Sequence, residues 1–463
     1  MSNFEFITSN KGKNLIKCNN YLYRQRSKTG NVSYWSCVET NCKSRGKLSD
    51  SSFSLSSDHN HQQNFIDLIQ RNQRSKVKEI ISTDPTISGL TVYNQATNQL
   101  INRSDIETQS ELIGASLQPF ISLQPTISYN KLKLLPPLPV TRSGIVIPEN
   151  FKQSAGKDFL LAEDGDEDKI LIFGTRDFFR ILCASKNVYM DGTFKCVPSI
   201  FYQLYTIHVM VKDLMIPVIY ALLPDKNRST YIRFFRMIQD LAIDAFLSFS
   251  PEVFILDFEL GVISAIKNLF SSSTIKCCNF HFGQCVWRKV QNIGLKKDYG
   301  VDQNVTKTIK RLISLPLIKP VDIDEVFEKI VIDAGDGDKI EKLLEYFYDN
   351  FYKTDARFER SLWNTADLIG PRTTNHLEGW HHAINLDIKI SHPNLWIFIK
   401  KIMNQQKIFE TRLLIQNSGT NVVRKRNKWI QINIKRDKLF ERYNNGELSA
   451  LEYLDRIKYL QFV

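Results

Sequence analysis

The spacing of apolar residues changes several times along the chain. Near the N-terminus, Tyr21-Leu22-Tyr23 and Val32-Ser33-Tyr34-Trp35 read as short strands. Two weak helical patterns follow, over Phe65–Ile81 and Gly89–Ile101, in a background rich in Gln, Asn, Ser and Thr. A Leu-Pro stretch, Leu134-Leu135-Pro136-Pro137-Leu138-Pro139, comes next, and the composition predicts a partly ordered connector over 63–140. Beyond it the pattern is denser. It predicts strands at Val188–Phe194, Gln203–Val211 and Met215–Leu222, with a Lys212-Asp213 turn between the last two. A helix over Ser229–Ile243 is capped by Ser229 or Thr230. Then come a strand at Glu252–Asp257, a helix at Leu260–Phe270, a strand at Thr274–Phe280 and a helix at Phe282–Ile293.

This β-β-β-α-β-α-β-α order is ribonuclease-H-like. It puts Asp191 midway along the first strand and Asp257 at the end of the fourth. Two ionised carboxylates on neighbouring strands repel, and such pairs are held by cations or by protonation. Two divalent metals do this in phosphoryl transfer, where they activate the attacking oxygen and stabilise the leaving one. Taken singly, Asp191 also suits a turn before Gly192, and Asp257 a helix N-cap beside Glu259. The expected fold class is α+β and multidomain: a small β module, then a ribonuclease-H-like α/β core.

Composition narrows the function. The 463 residues are 43% hydrophobic and 24% charged, which excludes a disordered chain, a collagen-like fibre and a coiled-coil rod. The net charge of +12 points to a polyanionic partner. Residues 1–48 hold nine Lys or Arg against two acidic residues, so more than half of that charge sits in a tenth of the chain. A second basic cluster, Arg424-Lys425-Arg426 with Lys428, Lys435, Arg436 and Lys438, lies in a helical tail. The longest apolar stretch, Ile200 to Leu223, is split by Lys212 and Asp213, so no membrane span is expected. The N-terminus lacks a signal-peptide layout, and eight cysteines are too few for a disulfide scaffold. A soluble intracellular protein is expected.

Cys37 and Cys42 are followed by His59-Asn60-His61. Two cysteines with a short spacer can reach one metal from a turn, and His-x-His on a strand presents both imidazoles on one face. Together they predict a closed Cys2His2 structural zinc site, which a module this small needs as a staple. The bland alternative is a chance Cys pair beside exposed histidines. The Phe6 to Gly12 opening, the Tyr21–Tyr23 strand, Trp35 with Cys37, Cys42, and the closing His59 and His61 resemble the FLYWCH-type zinc finger. Where that family often has Arg between the Trp and the Cys, this chain has Ser36. The resemblance implies a small β-sheet zinc domain that contacts DNA, with Lys43, Arg45 and Lys47 on phosphates; the basic cluster of the tail adds Arg424, Lys425 and Arg426 as further phosphate contacts. It also leaves open a protein partner for the finger.

The runs Asp191-Gly192-Thr193-Phe194-Lys195, Leu256-Asp257-Phe258-Glu259, Cys278-Asn279-Phe280-His281 and Thr374-Asn375-His376-Leu377-Glu378-Gly379-Trp380-His381 resemble the MULE (Mutator-like element) transposase domain. The resemblance implies a DDE triad of Asp191, Asp257 and Glu378 holding Mg²⁺ or Mn²⁺. It marks Cys278 and His281 as supporting residues of the active region. It also implies a helical insertion at about 300–360, where Ile309-Lys310-Arg311-Leu312-Ile313 and Ile340–Phe351 have helical spacing. His381 and His382 share a helical face with Glu378, and surface positions are the simpler reading for them.

The expected domains are therefore a zinc finger at 1–62, a connector at 63–140, a transposase core at 141–420 and a basic helical tail at 421–463. The expected activity is metal-dependent DNA cleavage and strand transfer in the nucleus, with homo-oligomerisation left open. The alternative is a domesticated, catalytically silent nuclear protein that binds DNA or protein.

Overall fold

The computed structural model describes residues 4–9, 13–50, 52–102, 113–368, 370–388, 390–419 and 427–460. It divides into two compact units, Met1–Pro137 and Leu138–Val463.

The first unit opens with a six-stranded antiparallel meander: β1 (Phe4–Thr8), β2 (Asn14–Cys18), β3 (Tyr21–Thr29), β4 (Val32–Cys37), β5 (Arg45–Ser49) and β6 (Ser52–Leu55). Side-chain alternation makes it two-faced. Ile16, Cys18, Tyr23, Trp35, Cys37 and Phe53 fill one face. Arg24, Tyr34, Arg45 and Lys47 are exposed. Gly46 is there because a Cβ would run into the Phe53 ring.

Between residues 65 and 134, where polar composition pointed to a partly ordered connector, three helices run over Phe65–Thr83, Gly89–Ile101 and Phe120–Leu134. Asn64 and Ser88 cap the first two, accepting from the amides of Asp67 and Thr91. Val77, Ile80, Ile81, Val92, Ala96, Leu123 and Ile127 form one apolar core among them. Few apolar residues are present, but they stand at helical spacing, and burial against two neighbours is enough to order them.

The second unit contains a two-residue hairpin, β7 (Gln153–Ser154) with β8 (Lys157–Asp158), and a seven-stranded mixed sheet. Its strands are β9 (Leu160–Asp164), β10 (Ile170–Phe173), β11 (Asn187–Thr193), β12 (Gln203–Val211), β13 (Leu214–Leu223), β14 (Val253–Leu256) and β15 (Thr274–Cys277). The order is β15-β14-β11-β12-β13-β10-β9. β11, β12 and β13 pair antiparallel, whereas β11–β14 and β14–β15 are parallel. Helix Arg228–Asp244 connects β13 to β14, helix Leu260–Leu269 connects β14 to β15, and helix Asn279–Asn292 follows β15. This is a ribonuclease-H-like core with two antiparallel strands added at the β13 edge.

The last strand is shorter than its apolar run predicts. It stops at Cys277, and the next helix begins at Asn279 rather than Phe282. β14 ends at Leu256, so no parallel partner remains beyond that point. The Cys278 amide is taken by Leu256 O at 2.8 Å, and the Asn279 amide turns to Arg372 O at 3.1 Å.

Helices Gln303–Ser314, Ile323–Ala334, Asp338–Phe347 and Arg360–Trp363 separate the sheet from helix Asn375–Ile388, which carries Glu378. Phe282, Phe347, Phe351 and Trp363 pack this insertion onto helix Asn279–Asn292. Arg311, 2% exposed, joins it to the C-terminal helix Ala450–Ile457 through Asp455, with Asp333 as a second partner. Among the described residues, no helix is long and apolar enough to cross a membrane.

Candidate functional site

Two clusters of chemically capable side chains stand out, one in each unit. In the first, Cys37 ends β4, Cys42 lies in the following turn, and His59 and His61 follow β6. One ligand atom from each lies within 4.8 Å of the other three. Cys37 Sγ is 3.3 Å from His61 Nε2, Cys42 Sγ is 3.3 Å from His59 Nδ1, and the two ring nitrogens are 3.1 Å apart. Ligands about 2.0–2.3 Å from a tetrahedral Zn²⁺ are separated by about 3.3–3.8 Å, so the donor set fits zinc in both chemistry and spacing.

The ring nitrogens facing away from the cluster are also engaged. His61 Nδ1 is 2.8 Å from Gln62 O, and His59 Nε2 is 2.6 Å from Tyr23 OH. Tyr23 OH is 3.4 Å from Ser44 Oγ, which donates to Ser57 O at 2.8 Å. Such outer contacts set the tautomer and aim the free nitrogen at the metal. Tyr21 stacks on His59 with ring centroids 3.5 Å apart. Burial pushes the Cys37 thiol up to about 11, with Cys42 adding to the rise.

Beside this cluster the exposed sheet face is cationic. Strand register lines up Arg24 with Ser36 and Ser36 with Arg45, and separately Tyr34 with Lys47. A bulge in β3 between Gln25 and Ser27 turns Arg26 across β4, where its Nε donates to Ser36 Oγ at 3.1 Å. The guanidinium expected between Trp35 and Cys37 is thus supplied beside Ser36 from the neighbouring strand. Lys43, in the turn between β4 and β5, is exposed. Arg424, Lys425 and Arg426 lie outside the described residues.

In the second unit, Asp191 lies on β11, Asp257 follows β14, and Glu378 stands in the first turn of helix Asn375–Ile388. Two histidines draw them together. His281 Nε2 is 3.3 Å from Glu378 Oε1, and its Nδ1 is 3.5 Å from Asp257 Oδ1. The Nδ1 contact is electrostatic, because this buried nitrogen makes no hydrogen bond. Burial alone would depress the His281 pKa, but contact with Cys278 and the charges of Asp257 and Asp191 outweigh it and raise it to about 9. An imidazolium therefore bridges two of the carboxylates at neutral pH. Burial raises Glu378 above the usual carboxylate range, against the opposing pull of His281.

His381 Nδ1 is 3.3 Å from Asp191 Oδ2. Its other nitrogen is 3.3 Å from Thr206 Oγ1, which is 3.1 Å from His208 Nε2. His381 is only 7% exposed, so the surface reading is corrected for it; His382 is exposed. Burial holds the His208 pKa well below its ordinary value, with His381 adding to the effect, so His208 is neutral. The sequence marked His381 only as sharing a helical face with Glu378. Nothing local marked Thr206 or His208, which sit on an apolar strand.

Cys278 is buried and accepts hydrogen bonds from the Thr374 amide at 3.1 Å and its hydroxyl at 3.2 Å. Thr374 begins the helix that bears Glu378. A fourth carboxylate, Glu259, accepts from Tyr231 OH at 2.8 Å, and burial raises its pKa. Among the described residues, only the Cys2His2 set has ligand atoms within 4.8 Å of one another; the acidic trio is spread more widely, with His281 in its midst.

Residues 6–61 match the FLYWCH zinc finger domain, and residues 187–284 match the MULE transposase domain. The second match spans Asp191, Asp257, Cys278 and His281, while Glu378 lies beyond it. No curated protein matches the chain. The two domains together point to a transposase-related DNA-binding protein, and the Cys2His2 cluster is consistent with structural zinc.

Proposed function

We propose that this protein is a nuclear DNA transposase in which Asp191, Asp257 and Glu378 carry metal-dependent strand cleavage and transfer. The observation behind this reading is the convergence of three carboxylates, from within one strand, the end of its neighbour and a distant helix, around His281 and His381. The three carboxylates would hold Mg²⁺ or Mn²⁺, which when bound would activate a water or a DNA 3′ hydroxyl and stabilise the leaving oxygen. The protein's own residues supply alignment. Asp191 is held on one oxygen by the Gly192 amide at 2.8 Å and on the other by His381. Asp257 Oδ1 accepts the Phe258 amide at 2.6 Å. Cys278 fastens the start of the Glu378 helix. His281 balances negative charge between Asp257 and Glu378 until cations do so.

In this reading residues 1–62 recognise DNA, 141–420 perform chemistry, and the tail 421–463 adds phosphate contacts. The zinc module would meet DNA through its basic sheet face, where Arg24, Arg26, Arg45 and Lys47 surround Tyr34. A second reading, a silent DNA- or protein-binding descendant, draws support from the width of the acidic set.

The test is nicking and joining on the terminal repeats that flank the protein's own gene, in Mg²⁺ or Mn²⁺. Activity lost in Asp191→Asn and Glu378→Gln, with DNA binding retained, is expected. Activity surviving either change rejects the triad. A wild type inert on authentic ends transfers support to the silent reading.

A further inference from the structure

Phe194 and Tyr202 are each 46% exposed, although most residues of β11 and β12 beside them are buried. Their rings meet edge to face with centroids 5.4 Å apart. Phe194 is the third residue after Asp191, immediately past the end of β11. Tyr202 is anchored by its amide, which donates to Leu223 O at 2.9 Å, so it stands where β13 gives way to the Pro224–Asn227 turn. Gln203 Nε2 reinforces this by donating to Asp225 O at 3.0 Å.

The surroundings are cationic. Lys195, Lys226 and Arg228 are exposed and make no ion pair among the described residues. The one carboxylate in the turn, Asp225, is occupied by the Asn227 amide at 2.8 Å and the Thr230 hydroxyl at 2.6 Å. Lys226 is near enough to Glu259 to act on its carboxyl electrostatically, so this rim borders the acidic cluster.

We propose that Phe194 and Tyr202 bind an unpaired nucleobase at a DNA end, with Lys195, Lys226 and Arg228 on its phosphates. Aromatic faces stack on any base, and cations beside them track the backbone. Three extended residues span at most about 10–11 Å, so along the chain Phe194 lies no farther than that from Asp191. The inference rests on the reading of the acidic cluster as a DNA-processing site, but it concerns binding alone.

The test uses full-length Asp191→Asn protein, so that no turnover is required. The probes are a duplex with a three-nucleotide single-stranded end, carrying 2-aminopurine at the junction, and the same duplex blunt. Tighter binding of the overhang is expected, with quenching of the fluorophore. Phe194→Ala and Tyr202→Ala should each weaken overhang binding by about tenfold and relieve the quenching, leaving blunt-duplex affinity unchanged. Phe194→Trp should retain both. Equal losses on the two probes, no loss on either, or no initial preference for the overhang would each overturn the proposal. So would tighter binding of an RNA overhang, or a changed oligomeric state in the alanine variants, which would assign the pair to contact between copies. Loss of cleavage in the triad variants tests the parent reading separately.

Discussion

Cys278 and Thr374, separated by 96 residues, are joined by two hydrogen bonds onto one sulfur atom. Both residues are fully buried. The contact ties the end of β15 to the start of the helix carrying Glu378, because Thr374 O accepts the Glu378 amide at 3.0 Å.

Replacing Cys278 by Val should leave the Thr374 amide and hydroxyl buried without an acceptor. The expected loss is about 1–3 kcal/mol, with Cys278→Ser recovering much of it because an acceptor remains. Denaturant unfolding of the three proteins measures this directly. Equal midpoints for wild type and Cys278→Val would deny the contact any weight.

Zinc should be a folding ligand for residues 1–62, as structural zinc is in small domains. Cys37→Ser or His61→Ala should unfold the module and spare the second unit, whose core is separate. Tyr23→Phe is subtler. It removes the hydroxyl 2.6 Å from His59 Nε2 and should weaken zinc binding about 10- to 100-fold without unfolding the loaded module. Competition with a chromophoric chelator reads the affinity. The Cys37 thiol, pushed up to about 11 by burial, is protonated before metal enters. Zinc uptake at neutral pH should therefore release protons, which calorimetry in buffers of different ionisation enthalpy detects.

Acid should weaken the link between the insertion and the C-terminal helix. Burial alone would raise the Asp455 pKa, but hydrogen bonds from Arg311 and Lys458 lower it to about 2. The unfolded value is about 3.9. A depressed folded pKa contributes stability that is complete above the unfolded pKa and is lost as pH falls through the folded one. Wild type should thus lose this contribution between about pH 4 and pH 2, and Asp455→Asn should lack that component. Urea midpoints of both proteins across this range provide the check.

His381 should tune the acidic site rather than build the fold alone. His381→Gln removes the imidazole from Asp191 Oδ2 and should lower metal-dependent cleavage about 10- to 100-fold. It should also raise the Mn²⁺ concentration needed for half-maximal rate. A fall in rate with the Mn²⁺ dependence unchanged would leave His381 a purely structural residue.

DNA binding by the basic sheet face should be salt-sensitive. Log affinity falls against log salt with a slope of about −0.9 per neutralised phosphate. Arg24→Gln with Arg45→Gln, two residues aligned across β3, β4 and β5, should make that slope shallower by about two. An unchanged slope would exclude this face as the phosphate contact.

What the sequence determined by itself was local. Alternation and helical spacing report which face of a segment is buried, so the strands and helices from 187 to 292 and the ribonuclease-H-like order were legible there. The Cys37, Cys42, His59 and His61 spacing was legible for a similar reason, since a short turn and a His-x-His strand limit where four donors can go. In the polar stretch after residue 62 the helices at Phe65–Thr83 and Gly89–Ile101 were legible, but their shared core with Phe120–Leu134 was not, because composition averages over faces. Seven apolar side chains at helical spacing were enough for a shared core. Tertiary structure alone decided the contacts between distant segments. It turned Arg26 over Ser36 through a bulge, set Tyr23 behind His59, and buried His381 between Asp191 and Thr206. It also seated His281 between Asp257 and Glu378. Periodicity carries no information about which buried polar groups meet. Burial makes an unpartnered polar group costly, so the packed fold selects the partners, and those partners exist only once strands and helices far apart in the chain have come together.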